Sequence, residues 1–265
     1  MNINLIVTIF WLGLSGGVLI PGLWLLFDGK SKVKMIDFIL HRFYLFGKMK
    51  NSNEKLFTDV PKACFRHFYI FGLLINIPLV IIYQTEIFLF SLFIVHMCRR
   101  LYECFFVHQY STHAKMSFIH YVVGLIHYPC VGLTILVDHQ SSSSTTTTIQ
   151  NRLFGLILFL IGNYIQCQTH LTLSKLRQTS KEKEIYPIPH GFFLFEYISC
   201  PNYFGEILIY ISLFCLSHKT SSFLSLIIWI FVNQILSGLF THRWYCQKYQ
   251  QIYPSTRRAI LPFLL

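Results

Sequence analysis

Residues 191–216 read "GFFLFEYISCPNYFGEILIYISLFCL". Glu196, Ser199, Asn202 and Glu206 interrupt a run otherwise apolar enough to lie in a bilayer. Two carboxylates and an amide are costly there, because hydrocarbon offers polar groups no water partners. Pro201 gives the first clue. Proline is poor inside a helix but fits its first turn. The spacing therefore predicts a helix from Pro201, with Ser199 or Cys200 as its cap. Asn202 and Glu206 are then i,i+4 and stack on one face over the first two turns. A helix start also presents free N–H groups and a positive dipole end, which favour phosphate. The stretch predicts a polar pocket at one membrane face.

The surrounding chain supports a membrane setting. Of 265 residues, 54% are hydrophobic and only 12% charged, with mean hydropathy +0.51. A soluble domain would carry about 25% charged residues. At about 20 residues per span, the apolar runs predict seven helices, near 3–27, 65–83, 87–107, 118–137, 152–173, 200–217 and 222–242. The expected fold is an all-α polytopic bundle over residues 1–265, one integral domain. The first run lacks a basic leader and is read as a retained span.

The net charge of +11 would suggest nucleic acid in a soluble protein. Topology explains it instead. Lys and Arg crowd residues 28–64, 174–190 and the tail 243–265, with Lys115 between, and these segments alternate onto one face. The other face holds Lys219, with Arg152 at a boundary. The positive-inside rule then predicts a lumenal N-terminus and a cytosolic C-terminus. The eight cysteines are scattered without CxxC or zinc spacing, so neither a disulfide framework nor a metal is expected. "SSSSTTTT" at 141–148 reads as a solvated linker. No internal repeat suggests a transporter.

Three further polar groups stand in or beside predicted spans, with His113 in a predicted loop. "HMCRRLYECFF", 96–106, places Arg99 and Glu103 i,i+4, so they can pair on one face. This is either a self-neutralised interfacial pair or the wall of a polar cavity. In "NYIQCQTHLTLSKLR", 163–177, Gln166, His170 and Arg177 share a face at 4 and 7 spacing, and Lys175, Lys181 and Lys183 follow. For the lysines the positive-inside signal suffices. His113, His120 and His127 repeat every seven residues, but without HExxH or HxxxH spacing they read as packed or hydrogen-bonded.

Two stretches of the last third carry a family likeness. "YPIPHGFFLFEYISCPNYFGEILIY" (186–210) and "HRWYCQKYQQIYPSTRRAILPF" (242–263) resemble the steroid 5α-reductase family. The Ser-Cys-Pro variant, "CRRLYEC" (98–104) and the 163–177 motif are similar to its polyprenol reductase branch, which makes dolichol in the endoplasmic reticulum for protein N-glycosylation. The resemblance implies a seven-helix bundle binding NADPH from the cytosol through Gln166, His170, Arg177, Tyr186, Asn202, Glu206 and Tyr245. It also implies an NADPH-binding part at about 150–265, substrate-side helices within 1–137 and a long polyprenyl lipid as substrate. Departures from the steroid branch stand at Met97, Pro187, Gln166, His170, Ser237 and Thr241, and they argue against a steroid. The groups that polarise the substrate cannot be copied across; His96, Tyr102 and Glu103 are the local candidates.

Chemistry narrows the substrate. Hydride attacks an alkene only when a conjugated carbonyl can accept the charge, and a donor must stabilise that oxygen. An allylic alcohol has no such sink, which favours a polyprenal over a polyprenol. Alternatives remain: a steroid or enoyl reductase of the same superfamily, an isoprenylcysteine-type methyltransferase, or a scaffold. Each predicts different ligands, and a scaffold leaves Asn202 and Glu206 unexplained.

Overall fold

The computed structural model describes residues 2–27, 59–110, 114–141, 148–179 and 186–264. His113, Lys181, Lys183, most of the 141–148 linker and the basic residues between 30 and 55 lie outside them. Among the described residues the chain forms seven α-helices: α1 Ile3–Leu26, α2 Phe65–Tyr83, α3 Ile87–Tyr102, α4 Phe118–Ser141, α5 Ile149–Thr179, α6 Pro201–Leu216 and α7 Ser221–Tyr249. A π-helical turn, Glu103–Val107, prolongs α3. Two short strands, β1 Asp59–Pro61 and β2 Lys115–Ser117, pair antiparallel with Val60 opposite Met116.

This is an all-α polytopic membrane protein. Four helical stretches are long and apolar enough to cross a bilayer: Ile3–Leu26, Lys62–Tyr83, Phe118–Ser141 and Ser221–Ile252. Helix α6 is shorter and apolar. Large apolar side chains such as Ile20, Leu74, Ile82 and Leu160 stand on the outer surface, as they would toward lipid. Trp11, Phe90, Phe93, Ile135, Tyr210 and Phe223 are fully buried between the helices.

The helix ends sort into two sets. At one end Glu86, in the α2–α3 connection, receives His139 Nδ1 (3.0 Å) and His218 Nε2 (2.8 Å). Asp138 accepts the backbone N–H groups of His218 and Thr220 and the Thr220 hydroxyl, at 2.7, 3.0 and 2.6 Å. Asn4 at the start of α1 accepts from Ser222 N (3.1 Å). The opposite end gathers the strands, residues 186–190 and the C-terminal segment. There Ile198 bridges Arg258 in parallel, and Arg243 reaches the α1 carbonyls of Leu25 and Leu26. The connections therefore alternate between two faces, as an up-and-down bundle requires.

Helices α5 and α6 approach most intimately through glycine. A β-carbon on Gly205 would stand 2.8 Å from the Gly162 carbonyl oxygen and 3.0 Å from Gln166 N. Backbones this close leave no room for a side chain. The contact sets Gln166 against Glu206.

Candidate active site

A cavity of about 600 Å³ opens at the end that carries the strands and the C-terminal segment. This lies within the usual range for small-molecule sites. Gln166, His170, Arg177, Tyr186, Asn202, Glu206 and Tyr245 all line it. The two helix faces selected by spacing thus share one cleft.

Arg100, Gln166, His170 and Glu206 in its lining belong to a charged network that continues behind it to Arg99 and Glu103. The buried Glu103 carboxylate accepts from Arg99 on one oxygen and from Arg100 on the other. Arg99 also donates to the Gln166 carbonyl and, through Nε, to Asn163 Oδ1 at 2.8 Å. The Gln166 amide then donates to Glu206. Two arginines and two carboxylates thereby neutralise one another, which is the condition for burying them. His170 Nδ1 lies 2.7 Å from Arg100 Nη1 and 2.8 Å from Glu103 Oε2, so it either accepts from the first or donates to the second. Glu103, His108 and His170 also bring three potential metal ligands within 4.8 Å, but two guanidinium groups already hold the carboxylate.

The rest of the wall is cationic and aromatic. The Arg177 guanidinium lies 4.5 Å from the Tyr186 ring centroid and donates to the Gln109 carbonyl. The Tyr245 ring stacks on Tyr253 at 5.5 Å. His108, just beyond the π-turn, bonds Tyr110 through Nδ1 at 3.0 Å. Burial, then the neighbouring His170 and Arg100, holds its imidazole neutral, with the pKa pushed down to about 2.

Some expectations need correction or refinement. Cys200 is the N-cap of α6 but makes no side-chain cap bond, with Pro201 at the first helical position. Ser199 does not cap either. Its hydroxyl meets His242 Nδ1 (2.6 Å), the Tyr253 hydroxyl (2.6 Å) and the Arg258 carbonyl (3.0 Å), and so fastens the C-terminal segment to the site. His96 is fully buried behind the lining, 3.7 Å from Glu206 Oε1, with Nε2 lacking a hydrogen bond. Tyr102 is 59% exposed, packs on Phe106 and lies apart from the cavity. Glu196 lies in a short 3-10 turn before the site and also outside the lining. His120 and His127 are separately bonded, to Ser117 (2.7 Å) and Tyr210 (2.8 Å).

The first half of the chain contributes wall residues that its sequence motifs did not single out: Lys62, Phe65, Phe68, Tyr69 and Tyr128. In the sequence Lys62 is one basic residue among those of 28–64. Pairing of β1 with β2, and the Lys62 N–H bond to the Ala114 carbonyl (2.9 Å), bring it to the cavity. No local pattern announces such a long-range contact.

Residues 114–265 of this membrane bundle match the family model described as 3-oxo-5-alpha-steroid 4-dehydrogenase, which makes it an oxidoreductase. The chain belongs to this family, the steroid 5α-reductases. Among curated proteins it is similar to a polyprenal reductase of Homo sapiens, 32% identical over 78% of each chain. A polyprenal reductase of Xenopus tropicalis is 28% identical over 98% of this chain and 99% of its own length. One of Caenorhabditis elegans is 28% identical over 78% and 80%.

Proposed function

We propose that the chain reduces the α-isoprene double bond of a polyprenal with NADPH, in the endoplasmic reticulum membrane, as a step toward dolichol. The observation that carries this reading is one cavity with two characters. One set of its lining residues is cationic or polar: Arg177, Lys62, Tyr186 and Asn202 in the first turn of α6. A second set is apolar: Phe65, Phe68, Val123, Leu236 and Phe240. A phosphorylated dinucleotide suits the first and an isoprenoid the second.

The residues present fit the cofactor. Among the described residues the Asn202 amide makes no hydrogen bond within the protein, yet it lines the cleft and is half-buried in the first turn of α6. It is poised for a ligand. Glu206, held by Gln166, offers its remaining acceptor capacity beside it. Asn202 and Glu206 would hold the nicotinamide or ribose side, while Arg177, Tyr186 and the α6 dipole would face phosphate. Bound there, the cofactor supplies hydride. His170 and Gln166 orient the charged network, and Tyr245 closes the wall near the C-terminal segment. On this reading the N-terminus is lumenal, the C-terminus cytosolic, and the strand-bearing end opens to cytosolic NADPH.

The test is NADPH oxidation by purified protein with polyprenal, polyprenol and a 3-keto steroid in parallel. Stoichiometric loss of NADPH and of the enal absorbance is expected with polyprenal alone. Preference for the steroid would place the chain in the other branch, and S-adenosylmethionine binding without NADPH binding would support the methyltransferase.

A further inference from the structure

We propose that Tyr69 is the acid that polarises the substrate carbonyl, in a subsite it forms with Tyr128 and Arg100. The inference rests on the polyprenal reading and names the missing donor. Tyr69 lies on α2, is 3% exposed and lines the cavity. Arg100 Nε points at its hydroxyl oxygen from 3.1 Å, with the guanidinium carbon 5.3 Å from the ring centroid. Arginine has only donors and does not deprotonate. The phenol oxygen is therefore the acceptor in that bond, and the Tyr69 proton is left for another partner. Tyr128, whose ring centroid is 4.9 Å away, lines the cavity beside it, and an aldehyde oxygen is the partner of that proton during turnover.

Several competing donors are engaged or misplaced. Glu103 accepts from both arginines. His127 bonds Tyr210 through Nε2 and receives Trp229 through Nδ1. His170 is tied to Arg100 and Glu103, and Tyr102 faces outward. Tyr69 also stands among lining residues of both kinds. Arg100, Gln166 and Glu206 line the same cavity, and Phe65 and Phe68 precede it on the same helix. An aldehyde on a hydrocarbon tail requires both.

Hydride adds to the β-carbon, the C=C π pair moves to form a C=C bond with the carbonyl carbon, and the carbonyl π pair moves onto oxygen. Tyr69 stabilises that oxygen and gives it a proton. The α-carbon then takes a proton from water while the oxygen returns its own to Tyr69. The aldehyde gains one hydride and one proton.

Tyr69→Phe tests this. We expect kcat with polyprenal to fall about 100- to 1,000-fold, the range for loss of one such donor. NADPH affinity, read by fluorescence, and the melting temperature stay at parental values. A short-chain enal bound with NADP+ shows a lowered C=O stretch in the parent by difference Raman, and the variant loses that shift. A kcat within threefold of the parent, or an unchanged carbonyl shift, overturns the proposal. Should Tyr69→Phe not fold, a fluorotyrosine at position 69 moves the alkaline limb of the kcat profile to lower pH, and an unmoved limb overturns it. A parent that binds and shifts the enal but never reduces it defeats the polyprenal reading while leaving the subsite intact.

Discussion

At the scale of single residues, the site is decided by how Glu103 is used. It lies 1% exposed between two arginines, and no other carboxylate meets either guanidinium directly among the described residues. Removing one partner of a buried ion pair leaves uncompensated charge and costs roughly 3–5 kcal/mol. Glu103→Gln should therefore lower the thermal unfolding temperature sharply, whereas Glu103 acting only as a surface partner would leave it unchanged. Asn202 is the contrast. Among the described residues it has no hydrogen-bond partner, so Asn202→Ala should leave stability untouched and weaken NADPH binding about tenfold, the worth of one or two hydrogen bonds. Equal NADPH affinity in variant and parent would remove Asn202 from the cofactor site.

At the scale of elements, the glycine contact between α5 and α6 controls the alignment of Gln166 with Glu206. Gly205→Ala forces the helices apart, because the new methyl meets backbone that cannot rotate away. Overpacking of this kind costs about 1–3 kcal/mol. The measurable outcome is a lower melting temperature together with a raised KM for NADPH; an unaltered KM would show that the alignment tolerates displacement. Much of the element layer was legible in the sequence. Hydropathy placed the helices, and Pro201 marked the start of α6. Spacing put Gln166 with His170 and Asn202 with Glu206, because i,i+4 geometry is local. The partners across helices were not legible. Nothing near Tyr69 names Arg100, and nothing near Ser199 names His242. Of the two cap candidates, Cys200 takes the position without a side-chain bond, and Ser199 binds tertiary partners instead of the local N–H group.

At the scale of the whole molecule, the alternating connections define two faces, and the proposed orientation makes them chemically distinct. Cys246 is exposed near the end of α7, on the face with the strands. A membrane-impermeant maleimide should label it in sealed microsomes, with the Cys246→Ser variant as control. Labelling only after detergent would reverse the orientation. The neutral network of the site also spans the molecule. Helix α3 carries Arg99, Arg100 and Glu103, and so has one positive charge more than it can cancel by itself. The balancing Glu206, reached through Gln166, belongs to helices made much later. During synthesis α3 therefore emerges before α5 and α6, which carry the groups that complete its charge balance.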